Sequence, residues 1–234
     1  MKIPRLFVPL AKEPYNWFIH DRKEWELRKY GRQYTEKNIQ IGKVVELRCG
    51  YNNPSKAIWG VIEEIRTFDS INNVFRSIDY KKIISGAINL ENAIDLSTQI
   101  LRLKNCGNNK LIAFKVRLID QPQFIEMSSE FYELIKSGKK KSTIRKGVRD
   151  YKAGKAIIYF KTNSLVVSIT QIRILGFSEI TVEDARKDGF NSFKELENAL
   201  KKFYGEIDKN EIMTIATIEI EKVEDNKNVN SYYL

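Results

Sequence analysis

The chain of 234 residues has one histidine, His20, and two cysteines, Cys49 and Cys106. A Ser-His-Asp or Cys-His nucleophile would have to use His20, and no motif pairs with it, so it reads as a surface residue at a helix end. Two cysteines so far apart make neither a zinc spacing nor a disulfide framework and read as idle thiols in a reducing compartment. No metal and no cofactor is implied, and no cluster of acids argues for a magnesium site. Long apolar runs are also missing. The apolar stretch between Lys161 and Arg173 is too short to span a bilayer. At the start, Pro9 and Lys12-Glu13 interrupt the apolar residues in a way that does not suit a signal peptide. These absences predict a cytoplasmic protein with no membrane partner; the oligomeric state is not legible.

Positive charge is abundant. Lys and Arg number 40 against 30 Asp and Glu, a net charge of +10, which favours acidic partners such as nucleic acid. The excess is concentrated. Residues 136–155 hold nine Lys/Arg and a single acid, Asp150, punctuated by Gly138, Gly147 and Gly154. A solvated helix face would scatter its charges among acids; a glycine-punctuated basic loop suits close contact with phosphate. The bland alternative is a solvated charge run.

The pattern of apolar residues predicts two domains, residues 1–120 and 121–234, joined by the linker Asp120-Gln121-Pro122-Gln123. In the first, a short strand within 1–10 precedes a helix near Pro14 that places Tyr15, Phe18 and Ile19 on one face. Strands follow at 41–48 and 58–65, paired antiparallel, with a turn at 50–54 between them. Residues 69–104 read as mostly helical, 105–109 as a loop, and 111–119 as a strongly apolar strand. In the second, a helix starts at Ser128-Ser129 and stops at Gly138, and the basic stretch reads as a loop. Strands are predicted at 156–160 and 165–174. Capping boxes at Thr181-x-x-Asp184 and Ser192-x-x-Glu195 predict helices near 182–188 and 193–203. The second of these would bury Phe193, Leu196, Leu200 and Phe203. A strand over 212–220 has a wet face toward its end, and 224–234 reads as a frayed tail.

The halves correspond. Lys23-x-x-Glu26-Leu27-Arg28 stands where Lys140-x-x-Thr143-Ile144-Arg145 stands, and each is followed by a Gly-Lys that opens a strand, at Gly42-Lys43 and Gly154-Lys155. This predicts a tandem duplication of a unit of roughly a hundred residues. The second half resembles the ASCH domains of the PUA-like superfamily through Gly138-Lys139-Lys140-Lys141-Ser142-Thr143-Ile144-Arg145 and Tyr151-Lys152-Ala153-Gly154-Lys155. Phe177-Ser178-Glu179-Ile180-Thr181 and Asp184-Ala185-Arg186-Lys187-Asp188-Gly189-Phe190 add to the likeness. The first half resembles a more divergent member. The resemblance implies an α+β fold of two small β-barrels, each flanked by helices, each with a basic cleft suited to RNA or a nucleotide.

Some ASCH proteins deacylate acetylcytidine with a Lys and a Thr three residues apart and a distant carboxylate. The resemblance carries these roles to Lys140, Thr143 and Asp188, with Asp188 one methylene shorter than the Glu of those hydrolases. A Thr hydroxyl needs a base, and a lysine crowded by Lys139 and Lys141 would have its pKa drawn down. In the first half Glu26 replaces the Thr, so that cleft binds rather than catalyses. The expected nucleic-acid contacts are Lys139, Lys141, Arg145, Lys146, Arg149 and Lys152 in the second half. In the first they are Lys23, Trp25, Glu26 and Arg28, with Trp25 available to stack on a base. RNA binding is the leading expectation. An acetylcytidine-type hydrolase, a ribonuclease using the same groove, and a protein adaptor with a basic face are the alternatives.

Overall fold

The computed structural model describes residues 4–51, 57–103 and 110–221. Part of the 50–54 turn, the 105–109 loop with Cys106, and the 224–234 tail lie outside the described residues. Among the described residues the chain divides into two compact units, one of residues 5–120 and one of residues 121–221 together with Pro4.

In the first unit, strand β1 (Leu6–Leu10) is followed by helix α1 (Lys12–His20), β2 (Trp25–Lys29), β3 (Val44–Cys49) and β4 (Ala57–Phe68). Helices α2 (Ile71–Ser77) and α3 (Leu90–Leu101) and strand β5 (Leu111–Ile119) complete it. The sheet order is β1-β3-β4-β5-β2, with β1 parallel to β3 and every other pair antiparallel. The second unit repeats this plan. It comprises β6 (Gln123–Glu126), α4 (Tyr132–Lys136), β7 (Ser142–Lys146), β8 (Gly154–Tyr159), β9 (Ser164–Gly176), α5 (Val182–Lys187), α6 (Phe193–Tyr204) and β10 (Ile212–Ile220). Its order is β6-β8-β9-β10-β7, again with the opening strand parallel to the third. Each unit is a curled five-stranded half-barrel with helices, an α+β fold.

The closing strand of each unit explains why it reads as so strongly apolar. Side chains alternate across a strand, and β5 sends Ile112, Phe114 and Val116 into one core and Leu111 and Ala113 into another. β10 does the same, with Ala216 and Ile218 against β6 and β8 and Met213 and Ile215 against α5 and α6. Both faces of β10 are therefore buried over most of its length, and only Ile212 at its start and Glu219 near its end are exposed.

The basic stretch is not a continuous loop. Ser142–Lys146 forms β7, paired antiparallel with β10, so Ser142, Thr143 and Ile144 are buried rather than offered to solvent. The predicted linker likewise runs into strand β6 at Gln123. At Thr181 the capping box forms in both directions. At Ser192 the hydroxyl accepts the Glu195 N–H, but the Glu195 carboxylate takes the N–H of Asn191 instead of that of Ser192. On α6, Leu196 and Leu200 are buried whereas Phe203 is half exposed, and Tyr204 packs against the core in its place.

Candidate functional site

The β6–α4 connection, β7, the end of α5 and the inner face of α6 enclose a cavity of about 610 Å³ in the second unit. Lys140 precedes β7 and is only 3% exposed. Its ammonium donates to the Asp188 carboxylate at 2.8 Å and to the Asp188 main-chain carbonyl at 2.7 Å. It also lies 4.6 Å from the centre of the Phe131 ring and 5.8 Å from that of Phe190. Asp188 is placed by the C-terminus of α5, where Gly189 turns the chain with a positive φ. A β-carbon at Gly189 would press on the Lys140 Cβ more tightly than an ordinary van der Waals contact allows, so this glycine lets the acid approach the lysine.

Burial lowers the pKa of Lys140 and raises that of Asp188, while each partner's charge opposes the shift of the other. The cause for Lys140 is burial first and Arg145 among the charges. The neighbours expected to do this, Lys139 and Lys141, are exposed and do not contribute to the shift. Thr143 is buried, and its hydroxyl oxygen accepts a 3.2 Å bond from Arg145 Nε. Arg145 also donates to the Glu126 carbonyl at the end of β6, at 2.7 Å. Lys140, Thr143 and Asp188 all line the cavity, and so do Arg145 and Arg149.

The remaining basic residues lie elsewhere. Lys139, Lys141 and Lys152 are exposed and do not line the cavity, and Lys146 pairs with Glu211 at 2.8 Å. The loop after β7 is held at both ends. The Thr214 hydroxyl donates to the Gly147 carbonyl at 2.7 Å and accepts the Arg149 N–H at 3.1 Å, and Gln123 brackets Lys152. Sequence reasoning missed Lys161 and the apolar wall of Phe131, Phe190, Leu200 and Phe203, all of which line the cavity. Periodicity marks several of these as core, and it cannot tell a core face from a cavity wall.

In the first unit the same positions form a different arrangement. Lys23 is 7% exposed, and its ammonium donates to the Trp25 and Ile83 carbonyls at 2.8 and 2.7 Å and pairs with Glu26 at 3.2 Å. Burial lowers its pKa, and Glu26 opposes the shift. Arg28 pairs with the second Glu26 oxygen at 2.8 Å and donates to the Pro9 carbonyl at 2.8 Å, as Arg145 does to Glu126. The space beside Lys23 and Glu26 is about 40 Å³. Trp25 is not offered to a base: it faces away from Glu26 along β2 and is buried against α2 and α3 with Arg66 over its ring. Among the described residues, the space at this position is thus about 40 Å³ in the first unit against about 610 Å³ in the second.

Residues 119–226 match the family model described as the ASCH domain. The second unit is an ASCH domain. Among solved structures, an ASCH domain from Lactobacillus crispatus JV V101 is 11% identical with a TM-score of 0.37, covering 42% of this chain and 79% of that one. A protein from Pyrococcus furiosus is 14% identical with a TM-score of 0.40, covering 50% and 98%. One from Enterococcus faecalis V583 is 15% identical with a TM-score of 0.36, covering 56% and 92%. No curated protein matches the chain. Among the described residues, no helix is long and apolar enough to cross a membrane, and no group of His, Cys, Asp and Glu is placed to hold a metal ion. Within the ASCH domain, then, the predicted Lys-Thr-Asp set shares one cavity, with the lysine turned toward the acid and the threonine oxygen toward an arginine.

Proposed function

We propose that the ASCH domain of this chain binds RNA by taking one nucleotide into the 610 Å³ cavity. The observation that carries this reading is that two kinds of side chain line the cavity. One is apolar and aromatic, with Phe131, Phe190, Leu200 and Phe203, and suits the face of a base. The other is cationic. Once Lys140 and Asp188 cancel, Arg145, Arg149 and Lys161 face a single acid, Glu126. Lys139, Lys141 and Lys152, exposed outside the cavity, would meet the flanking backbone. The first unit, whose corresponding space is only about 40 Å³, does not take the nucleotide.

The test is binding of single-stranded RNA across a salt series, with Arg149→Ala and Lys161→Ala. Each cation that meets a phosphate should lower the log–log salt slope by about 1 when removed. Absence of binding at low salt, or a slope unchanged in both variants, would count against the reading.

A second reading is hydrolysis of an acylated cytidine. It is favoured by the convergence of Lys140, Thr143 and Asp188 on one cavity and by the lowered pKa of Lys140. Release of the acyl group, lost in Thr143→Ala, would establish it.

A further inference from the structure

The first unit shows what the second one's site is built to hold. A lysine ammonium carries three N–H donors. Lys23 donates to two carbonyls, those of Trp25 and Ile83, and forms an ion pair with a Glu26 oxygen at 3.2 Å that accepts no hydrogen bond. Lys140 has two acceptors, both on Asp188, and no third among the described residues. The arginines differ in the same way. Arg28 Nε is ion-paired with the Glu26 carboxylate at 2.8 Å without a hydrogen bond to it, whereas Arg145 Nε donates to the neutral Thr143 oxygen. The equivalence of these residues is fixed by the sheet. Arg28 and Arg145 each reach back to the carbonyl of the opening strand, and Glu26 and Thr143 each lie two residues before that arginine on the same strand face. In the first unit a carboxylate, one oxygen on the lysine and one on the arginine, is supplied by the chain. In the second the side chain at that position is the shorter, neutral Thr143, the carboxylate on Lys140 comes from Asp188 instead, and Lys140, Thr143 and Arg145 line an open cavity.

We propose that the site between Lys140 and Arg145 takes an oxyanion from the ligand, bridging the two cations as Glu26 bridges Lys23 and Arg28. Thr143 contributes its hydroxyl. Its oxygen is occupied by Arg145 Nε, so the hydroxyl hydrogen remains to donate to the anion. The guanidinium uses one N–H on Thr143 and one on Glu126, leaving others for the same oxygens. The inference rests on the nucleotide-binding reading in naming the phosphate of a nucleotide as the source, with its base against the aromatic side chains. A free phosphate or carboxylate shares the chemistry.

The test compares cytidine, cytidine 5′-monophosphate and inorganic phosphate by calorimetry on the full chain, in wild type, Thr143→Glu and Thr143→Val. The nucleotide should bind at least about tenfold more tightly than cytidine. Thr143→Glu, which places the first unit's carboxylate in the second, should remove that advantage. Thr143→Val should lose part of it. Inorganic phosphate that binds as tightly as the nucleotide would support the oxyanion site but assign it to a free anion. Equal affinity for cytidine and its monophosphate would overturn the oxyanion site and leave base binding standing. Binding of none of the three would overturn both readings. Should Thr143→Glu fail to fold, displacement of the nucleotide from wild type by millimolar phosphate decides the matter, and lack of displacement sinks the proposal.

Discussion

Lys140 and Asp188 meet twice, through the carboxylate and through the main-chain carbonyl of the same residue, inside a site where both are nearly excluded from water. Such a pair is costly to break from one side, because the survivor is a buried charge without a partner. Asp188→Ala should destabilise the second unit by about 3–5 kcal/mol. The double change Lys140→Met with Asp188→Leu should recover much of that loss and leave an inert cavity. Chemical denaturation of the three proteins, read with a probe in the second unit, checks both expectations.

Gly189 provides a subtler route to the same pair. Its φ is positive, and a new β-carbon there would crowd the Lys140 side chain. The backbone strain of Gly189→Ala should cost about 1–3 kcal/mol. The substitution should also displace Asp188 from Lys140. A fall in ligand affinity larger than that caused by an alanine at Gly205, which also has positive φ but open space around a new β-carbon, would separate displacement from strain.

Glu26 is the counterpart test in the first unit. Glu26→Ala leaves Lys23 and Arg28 without their carboxylate and should lower stability by about 3 kcal/mol or more. RNA affinity should stay within about twofold, since the cavity lies in the other unit. A large loss of affinity in a folded Glu26→Ala protein would instead make the first unit part of the binding surface.

The α5 capping box sets an acid limit on stability. Burial works to raise the Asp184 pKa, but hydrogen bonds from the Thr181 N–H and hydroxyl and from Arg173 outweigh it and hold the carboxyl below its ordinary value. A carboxylate with a depressed folded pKa contributes stability that is complete above its unfolded pKa and is lost as pH falls through the folded one. The contribution should therefore be constant near neutrality and disappear in acid. Asp184→Asn should lower the melting temperature at pH 7 and flatten its decline below pH 4, roughly the ordinary carboxylate range.

Thr214 tests whether the basic loop must be rigid. Its hydroxyl, wholly buried, holds Gly147 and Arg149 together. Thr214→Val keeps the shape and removes both hydrogen bonds, at about 0.5–1.5 kcal/mol each. Faster amide exchange at Arg149 and a several-fold weaker RNA affinity are the expected results.

The fold is legible where apolar residues alternate or recur on a helix face. β5 and β10 stand out because both of their faces are buried, and α5 because Thr181 and Asp184 mark its start. β2 and β7 do not, since Glu26, Arg28, Thr143 and Arg145 fill one face with groups that usually meet solvent. Lysine burial is rare enough that sequence alone favours the exposed reading, and so Lys140 and Lys23 look no different from the exposed Lys139 and Lys141. Their burial depends on carbonyls and carboxylates brought from distant segments, Asp188 in one case and Ile83 in the other. Phe203 illustrates the opposite error: it lies on the helix face that periodicity assigns to the core, but the cavity leaves it without cover.

The pairing of β7 with the closing strand β10 has a consequence for how this molecule is made. Thr143 aligns with Ala216, and Arg145 with Thr214, across nearly the whole length of the unit. Contacts so remote in sequence are slow to form, because a long loop must close before they repay its entropy. On a ribosome, β7 would emerge early and wait with its backbone unpaired until β10 had cleared the exit tunnel. The lysine that leads into β7 would remain hydrated through that interval. Its dry environment, and with it any chemistry that depends on a shifted proton affinity, would arise only once β10 is in place.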